Sequence, residues 1–547
     1  MDAPDARPAG EEVKAPRSPE AQERLDAAKD TDKRHRPGRM LAVFKGLVML
    51  ALLTVTAYAM MKDGFYMDTF WLPAAAGTLA LLFATLFARG FYADLPPVGI
   101  LAIAFLAALV AVKGLSMVWT ISETETIKET LRSSMYLAFF VMALGALTSW
   151  RQVGPLIDFS VLVVAAVAGY GLLQKINPLD YPVRSIDGVR MDSTLGYSNT
   201  TAIIISMGVV LALSRMTGLR SFALRGLYAA LLLSFLVALY LTVSRGGLGS
   251  LGIGVIILFA LGGARLQVLA NLLLAAVPAA WLWWRMQGLP GLLQSGIRPQ
   301  EKLADGTAFR NDLIVALVVA FALQAGYTVL LNRYELLPSA RRTLGIVAVA
   351  GLVLVACAGT FVAVRHFGGP GAAYQSLVGN ADESSNMARR LTSLDISSRG
   401  DYWRVGWAAW KEHPFTGTGA GTFQFTWLEE RPSLKNVKQV HNLYLEQGTE
   451  TGLFAFLALL GFVVVLIGYS GRAAWRSTGE RRLLLSGLTC ALAVYLISSV
   501  AEWHWYIPAS TMFFFILAGI TIKFASREDW GPVEAEAPPA NGVAPRA

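Results

Sequence analysis

Cysteine is nearly missing from this chain of 547 residues: there are two, Cys357 and Cys490, each inside an apolar run. That excludes a disulfide framework and a cysteine-bound metal, and leaves both as core fillers. Charge is scarce too. Asp, Glu, Lys and Arg make up 16% of the residues against 54% hydrophobic, a balance too apolar for a soluble globular protein of this length. No His, Asp and Glu stand at metal-ligand spacing, so neither a metal nor a cofactor is expected. The formal charge of +9 is scattered over loops without a compact basic domain, which argues against a nucleic-acid partner.

What the chain has instead is apolar runs of the roughly 20 residues that cross about 30 Å of hydrocarbon. They recur from residue 41 to 524, and about fourteen can be counted. The fold class is therefore an all-α polytopic membrane protein, with the lipid bilayer as a partner. Runs 135–147 and 248–261 are short for a perpendicular span, and the count falls to about twelve if some are re-entrant or buried. The expected organisation is a disordered cytoplasmic tail (1–39), spans one to eleven (40–365), a large outer loop with an amphipathic helix (366–440), three more spans (441–525) and a second disordered cytoplasmic tail (526–547). Residues 1–39 have almost no large apolar side chains and cannot bury enough surface to fold alone. Lys33, Arg34, Arg36 and Arg39 abut the first run and hold the N-terminus in the cytoplasm, the side to which the loop of Arg215, Arg220 and Arg225 also falls. The opposite face is basic as well, at Lys175, Arg190, Arg245 and the loop 365–438, and an anionic substrate would give a reason. The runs themselves read as nearly free of charge apart from Lys45 and Lys113, which points to chemistry at an interface rather than to transport through the midplane.

Candidate chemistry sits in that outer face. His441, in Gln439-Val440-His441-Asn442, stands where the long loop re-enters an apolar run. An imidazole there accepts a proton near neutral pH, since its ordinary pKa is about 6.5. Arg399 and Arg404 lie upstream in Ser398-Arg399-Gly400-Asp401-Tyr402-Trp403-Arg404, and Arg245 lies in Ser244-Arg245-Gly246-Gly247 between two runs. Two arginines and one histidine on one side of a membrane make an anion-handling site with a base. Trp403, Trp407 and Trp410 share one helix face, more a packing or membrane-surface feature than a sugar platform. Gly417, Gly419 and Gly421 follow Pro414 in a turn that matches no nucleotide-binding fingerprint. His413 and His504 read as structural.

The ordered set of motifs resembles the O-antigen ligase and polymerase superfamily. It comprises Gly196-Tyr197-Ser198-Asn199, Ser244-Arg245-Gly246-Gly247, Arg399 to Trp403, Pro414-Phe415-Thr416-Gly417, His441-Asn442 with Glu450-Thr451-Gly452, and Glu502-Trp503-His504-Trp505, and it covers roughly residues 196–520. The resemblance implies a membrane-embedded glycosyltransferase of the GT-C type, working at the outer face of a bacterial cytoplasmic membrane without a metal. Its donor would be a glycan on undecaprenyl diphosphate, and its acceptor a hydroxyl of a glycan or glycolipid. His441 would be the general base and Arg245 and Arg399 the diphosphate clamp, with Arg404 competing with Arg399 for the loop position. Arg190, Tyr197, Asn199, Asn442 and Glu502 are secondary candidates for donor or acceptor contacts. Helix capping is the plainer role for Asn199, and a helix-start carboxylate or a partner that orients His441 is the alternative for Glu502. A lipid-linked glycan flippase or another multi-span transporter fits the same topology, and a protein O-oligosaccharyltransferase fits the same chemistry.

Overall fold

The structure, a computed structural model, describes residues 38–185, 187–334 and 399–530, with a few scattered positions from 343 to 354. The predicted span 344–364, most of the outer loop before Arg399 and both tails lie largely or wholly outside the described residues. The described elements are helical: α1 Arg39–Met61, α2 Asp68–Phe87, α3 Pro97–Leu115, α4 Glu123–Ala146, α5 Val153–Ile176, α6 Ser198–Gly218, α7 Phe222–Leu241, α8 Arg245–Leu261, α9 Arg265–Met286, α10 Pro299–Arg333, α11 Arg399–Glu412, α12 Phe423–Glu430, α13 Leu443–Arg476, α14 Gly479–Ser498 and α15 Pro508–Ser526. No strand occurs among the described residues. Eleven helices there are long and apolar enough to cross a membrane. The chain is an all-α, multi-pass membrane protein.

Hydrophobic patterning decides who sits where. Helices α6 and α15 are apolar on every side and are buried almost throughout, as expected of the middle of a bundle. Helix α14 packs on α6, and α15 on α4. Helices α2, α3, α9 and α10 hold Phe83, Leu86, Ile100, Trp284 and Val318 outward, which suits hydrocarbon rather than water. Close crossings are set by glycine: a Cβ on Gly487 would sit 2.4 Å from the Ser214 side chain, and one on Gly254 2.4 Å from Val494.

Three elements depart from the run-by-run expectation. Helix α4 starts at Glu123, twelve residues before the apolar run, and α13 starts at Leu443 and continues to Arg476, well past its run at both ends. Both extensions carry charge into the interior: Glu129, Arg132, Glu446 and Glu450 are buried, alongside Lys113 of α3. These charges lie just outside the apolar windows and so add to the reading of runs nearly free of charge without overturning it: Glu129 pairs with Arg132 and Lys113, while Glu446 and Glu450 accept from backbone amides. Helix α8 is short, as its run suggested. At 17 residues it is about 25 Å long, less than the hydrocarbon thickness of about 30 Å.

Candidate functional site

Alternating helices bring one set of ends together: the C-terminal ends of α1, α3, α5 and α7 and the N-terminal ends of α4, α6, α8, α13 and α15. The connections at this end bond one another, Ile121 N donating to Thr418 O at 3.2 Å, Met191 N to Leu241 O at 3.0 Å and Leu443 N to Ser499 O at 2.8 Å. Arg184 pairs with Asp63 there as well.

At the centre stands Glu502, on the connection between α14 and α15. Its carboxylate is the acceptor for three of the predicted residues. Arg399 donates from Nη2 to Oε1, Asn199 donates from Nδ2 to Oε1 at 2.8 Å, and Tyr197 donates its hydroxyl to Oε2 at 3.1 Å. Asn199 in turn takes a bond from Arg190 on its Oδ1, while Arg190 Nε donates to Thr242 O at 2.9 Å. Asn199 therefore does not cap α6, whose N-cap is Tyr197 without a side-chain bond. Glu502 bonds the arginine and not the imidazole.

Arg245 is the first residue of α8, where Ser244 caps by accepting from Gly247 N at 3.2 Å. The start of α8 reaches Glu502 because its glycines permit it. A Cβ on Gly246 would lie 3.8 Å from Glu502 Oε1, and one on Gly247 would meet Ala202 at 2.6 Å. Val243, just before, has φ +51°, a conformation costly for a β-branched residue and found where a site holds its backbone strained.

His441 also sits in the left-handed region, at φ +59°. Its ring lies 5.1 Å from that of Tyr402 and 6.1 Å from that of Trp503, and Trp503 reaches Tyr197 at 4.8 Å. Nδ1 is 3.0 Å from the Gln439 carbonyl. A carbonyl only accepts, so Nδ1 carries the hydrogen in the neutral ring and Nε2 keeps its lone pair. Burial pulls the imidazole pKa down to about 4; Glu502 acts to raise it and Arg399 to lower it. The ordinary value near 6.5 gives way to a lower one because the ring is enclosed by Tyr402 and Trp503; the Gln439 carbonyl, which accepts from Nδ1, acts in the opposite direction.

The two loop arginines part company. Arg399 is partly buried, with its Nε lacking any hydrogen-bond partner, while Arg404 is exposed and pairs with Asp401 at 3.1 Å one turn away. Asn442 caps α13, its Oδ1 accepting from Tyr444 N and Leu445 N, both at 3.1 Å. Of the tryptophans, Trp403 donates from Nε1 to His441 O at 3.4 Å, Trp410 covers Gly448, and Trp407 is exposed. The glycine turn supports the site from behind. Helix α13 breaks at Gly452 (φ +72°), where Leu453 N donates to Pro414 O at 2.9 Å, and Glu450 accepts from Gly421 N at 2.8 Å and from Phe423 N at 3.2 Å.

Sequence reasoning missed the charged layer below. Glu129 pairs with Arg132 and stands 3.7 Å from Lys113, and Glu446 accepts from Val440 N at 3.4 Å, one residue from His441. The signals available were Glu129 and Arg132 three residues apart on one helix face and Lys113 alone inside an apolar run; nothing in the sequence joined them. Among the described residues no group of three or more His, Cys, Asp and Glu is placed to hold a metal ion. His504 is buried beneath, its Nε2 2.9 Å from Ser499 Oγ, and His413 is exposed.

A family model described as O-antigen ligase matches residues 313–460, a stretch that includes Arg399, Arg404, the glycine turn and His441. No curated protein matches the chain. The match lies on the helices and turn that present Arg399 and His441, and over residues 313–460 the chain is similar to the O-antigen ligase family, which supports the resemblance to the O-antigen ligase and polymerase superfamily.

Proposed function

We propose that the chain transfers a glycan from an undecaprenyl-diphosphate donor to an acceptor hydroxyl, at the outer face of a bacterial cytoplasmic membrane with both termini inside. A ligase-like or polymerase-like membrane glycosyltransferase is what the family match supports. The observation that carries the finer reading is the convergence of Arg399, His441 and the start of α8 around Glu502.

The chemistry follows from what each group offers. A glycosyl diphosphate has a good leaving group, so the protein must stabilise the departing charge and activate the acceptor. Arg399, anchored through one nitrogen by Glu502 and with its Nε unbonded, presents a cationic donor to a phosphate oxygen. Arg245 adds a second guanidinium at a helix N-terminus, which itself favours anions. His441 Nε2 takes the acceptor proton as the acceptor oxygen bonds to the anomeric carbon. The bond from that carbon to the phosphate oxygen breaks with its electron pair, and undecaprenyl diphosphate leaves. One such displacement inverts the anomeric configuration. The incoming diphosphate, with its negative charge close by, raises the basicity of a ring that is a weak base in the empty site.

Arg190, Tyr197 and Asn199 hold Glu502 and thereby Arg399, which makes them positioning residues in this reading. Asn442 acts as a helix cap. The test is reconstitution of the purified chain in proteoliposomes with a labelled undecaprenyl-diphosphate glycan and an acceptor glycan. Label on the acceptor and release of undecaprenyl diphosphate, unaffected by chelator, is the expected result. Label that crosses the bilayer with its covalent structure unchanged would overturn the reading in favour of a flippase. Envelope glycans of a deletion strain then separate the acceptors: single repeats accumulate without a polymerase, and whole chains stay on the carrier without a ligase.

A further inference from the structure

The end of the bundle opposite His441 holds a cavity of about 1340 Å³. It exists because α8 is short. That helix starts beside Glu502 and runs out at Leu261, about 25 Å away, and Gly262 and Gly263 then form part of the cavity wall. The last carbonyls of α8 are covered by two arginines, Arg265 donating from Nε to Phe259 O at 2.9 Å and Arg482 from Nε to Leu261 O at 2.6 Å. Arg220 and Arg225 line the same space, and among the described residues no Asp or Glu does.

Arg225 makes the arrangement informative. It is 2% exposed, and its partners are neutral: Nη2 donates to Asn271 Oδ1 at 3.1 Å, the guanidinium lies 5.9 Å from the Tyr327 ring centre, and the Gln267 amide is placed to turn its oxygen toward it. Its Nε has no hydrogen-bond partner. Among the described residues none of the four arginines forms an ion pair. By contrast Arg215, at the same end, takes Asp158 at 2.8 Å. A guanidinium withdrawn from water without a counter-charge is strongly disfavoured, and a bound anion removes that penalty.

We propose that this cavity binds the phosphate of an anionic membrane lipid from the leaflet at that end. Phosphate is the chemistry that a cluster of arginine forks matches. The lipid source follows from place and size: the cavity lies at the end of the spans, where headgroups sit, exceeds the usual range of about 300–1,000 Å³ for small-ligand pockets, and adds Leu219, Leu266 and Leu331 to the arginines. The site is remote from His441 and stands independently of the reaction assigned there.

The experiment is native mass spectrometry of the full chain in neutral detergent, titrated separately with phosphatidylglycerol, phosphatidylcholine and inorganic phosphate, with thermal unfolding in parallel. Phosphatidylglycerol should bind at least about tenfold more tightly than phosphatidylcholine and raise Tm, with inorganic phosphate doing neither at the same concentration. Arg225→Gln should weaken phosphatidylglycerol about ten- to hundredfold, the worth of one charge-assisted hydrogen bond. Arg220→Gln, a change at an exposed side chain, should weaken it in the same direction and decides the matter if the buried variant misfolds. Equal binding of the two lipids, phosphatidylglycerol binding unchanged in Arg220→Gln, or stabilisation by inorganic phosphate equal to that by lipid would each overturn the proposal.

Discussion

The pairing of Arg399 with Glu502 makes the sharpest stability prediction. Their side chains are 17% and 4% exposed, so this is a buried ion pair and solvent screening is weak. Glu502→Gln leaves the Arg399 guanidinium without its counter-charge and gives up one acceptor of the bonds from Tyr197 and Asn199. Breaking a buried pair from one side costs about 3–5 kcal/mol. Arg399→Met leaves Glu502 with neutral donors only and should cost a similar amount. The double variant removes both charges together, and replacing a whole buried pair with uncharged groups is often close to neutral. Most of the loss should therefore return, a coupling of about 2 kcal/mol or more. Thermal unfolding of the four proteins in detergent, followed by tryptophan fluorescence, gives the cycle directly. Transfer activity should stay lost in the double variant, since the guanidinium has not returned. A Glu502→Gln protein as stable as the parent, or losses that simply add in the double variant, would refute the reasoning.

Arg404→Gln should keep near-parental transfer, because that side chain is exposed and bonded to Asp401, whereas Arg399→Gln should lose transfer by about a hundredfold or more; steady-state rates in proteoliposomes check both. For His441 the folded pKa of about 4 lies below the ordinary 6.5, so folding favours the neutral ring. The stability this contributes is complete above about pH 6.5 and is lost as pH falls toward 4. Since kcat/KM reports the free enzyme, its acid limb should stay flat down to about pH 5, and a fall centred near 6.5 would show an ordinary imidazole. Gly452→Ala places a Cβ 2.1 Å from the Phe415 carbonyl at φ +72°, so it should lower Tm sharply and reduce the yield of folded protein, read by size-exclusion profile.

Hydropathy made the spans legible wherever a helix meets lipid, because lipid-facing side chains must be apolar along their whole length. It under-read α4 and α13. There the first turns bury Glu129, Arg132, Glu446 and Glu450 against other segments, and partners distant in sequence leave no trace in a window of neighbouring residues. Arg245, Arg399 and His441 were legible as motifs, and Tyr197, Asn199 and Glu502 as company for them. What was not legible is who bonds whom: Glu502 as the anchor of Arg399 is a contact across 103 positions. The choice between Arg399 and Arg404 is likewise a matter of helix phase, one facing Glu502 and the other facing Asp401 and solvent. The basic cavity escaped notice for a related reason, since its arginines come from three separate stretches and looked like ordinary loop charges.

The division of labour between the clamp and the base is tested most directly by measuring donor binding and transfer side by side in His441→Gln and Arg399→Ala, with a labelled undecaprenyl-diphosphate glycan. The account predicts that His441→Gln binds the donor as the parent does and transfers nothing, while Arg399→Ala loses binding and transfer together. Full transfer by His441→Gln, or undiminished donor binding by Arg399→Ala, would contradict it.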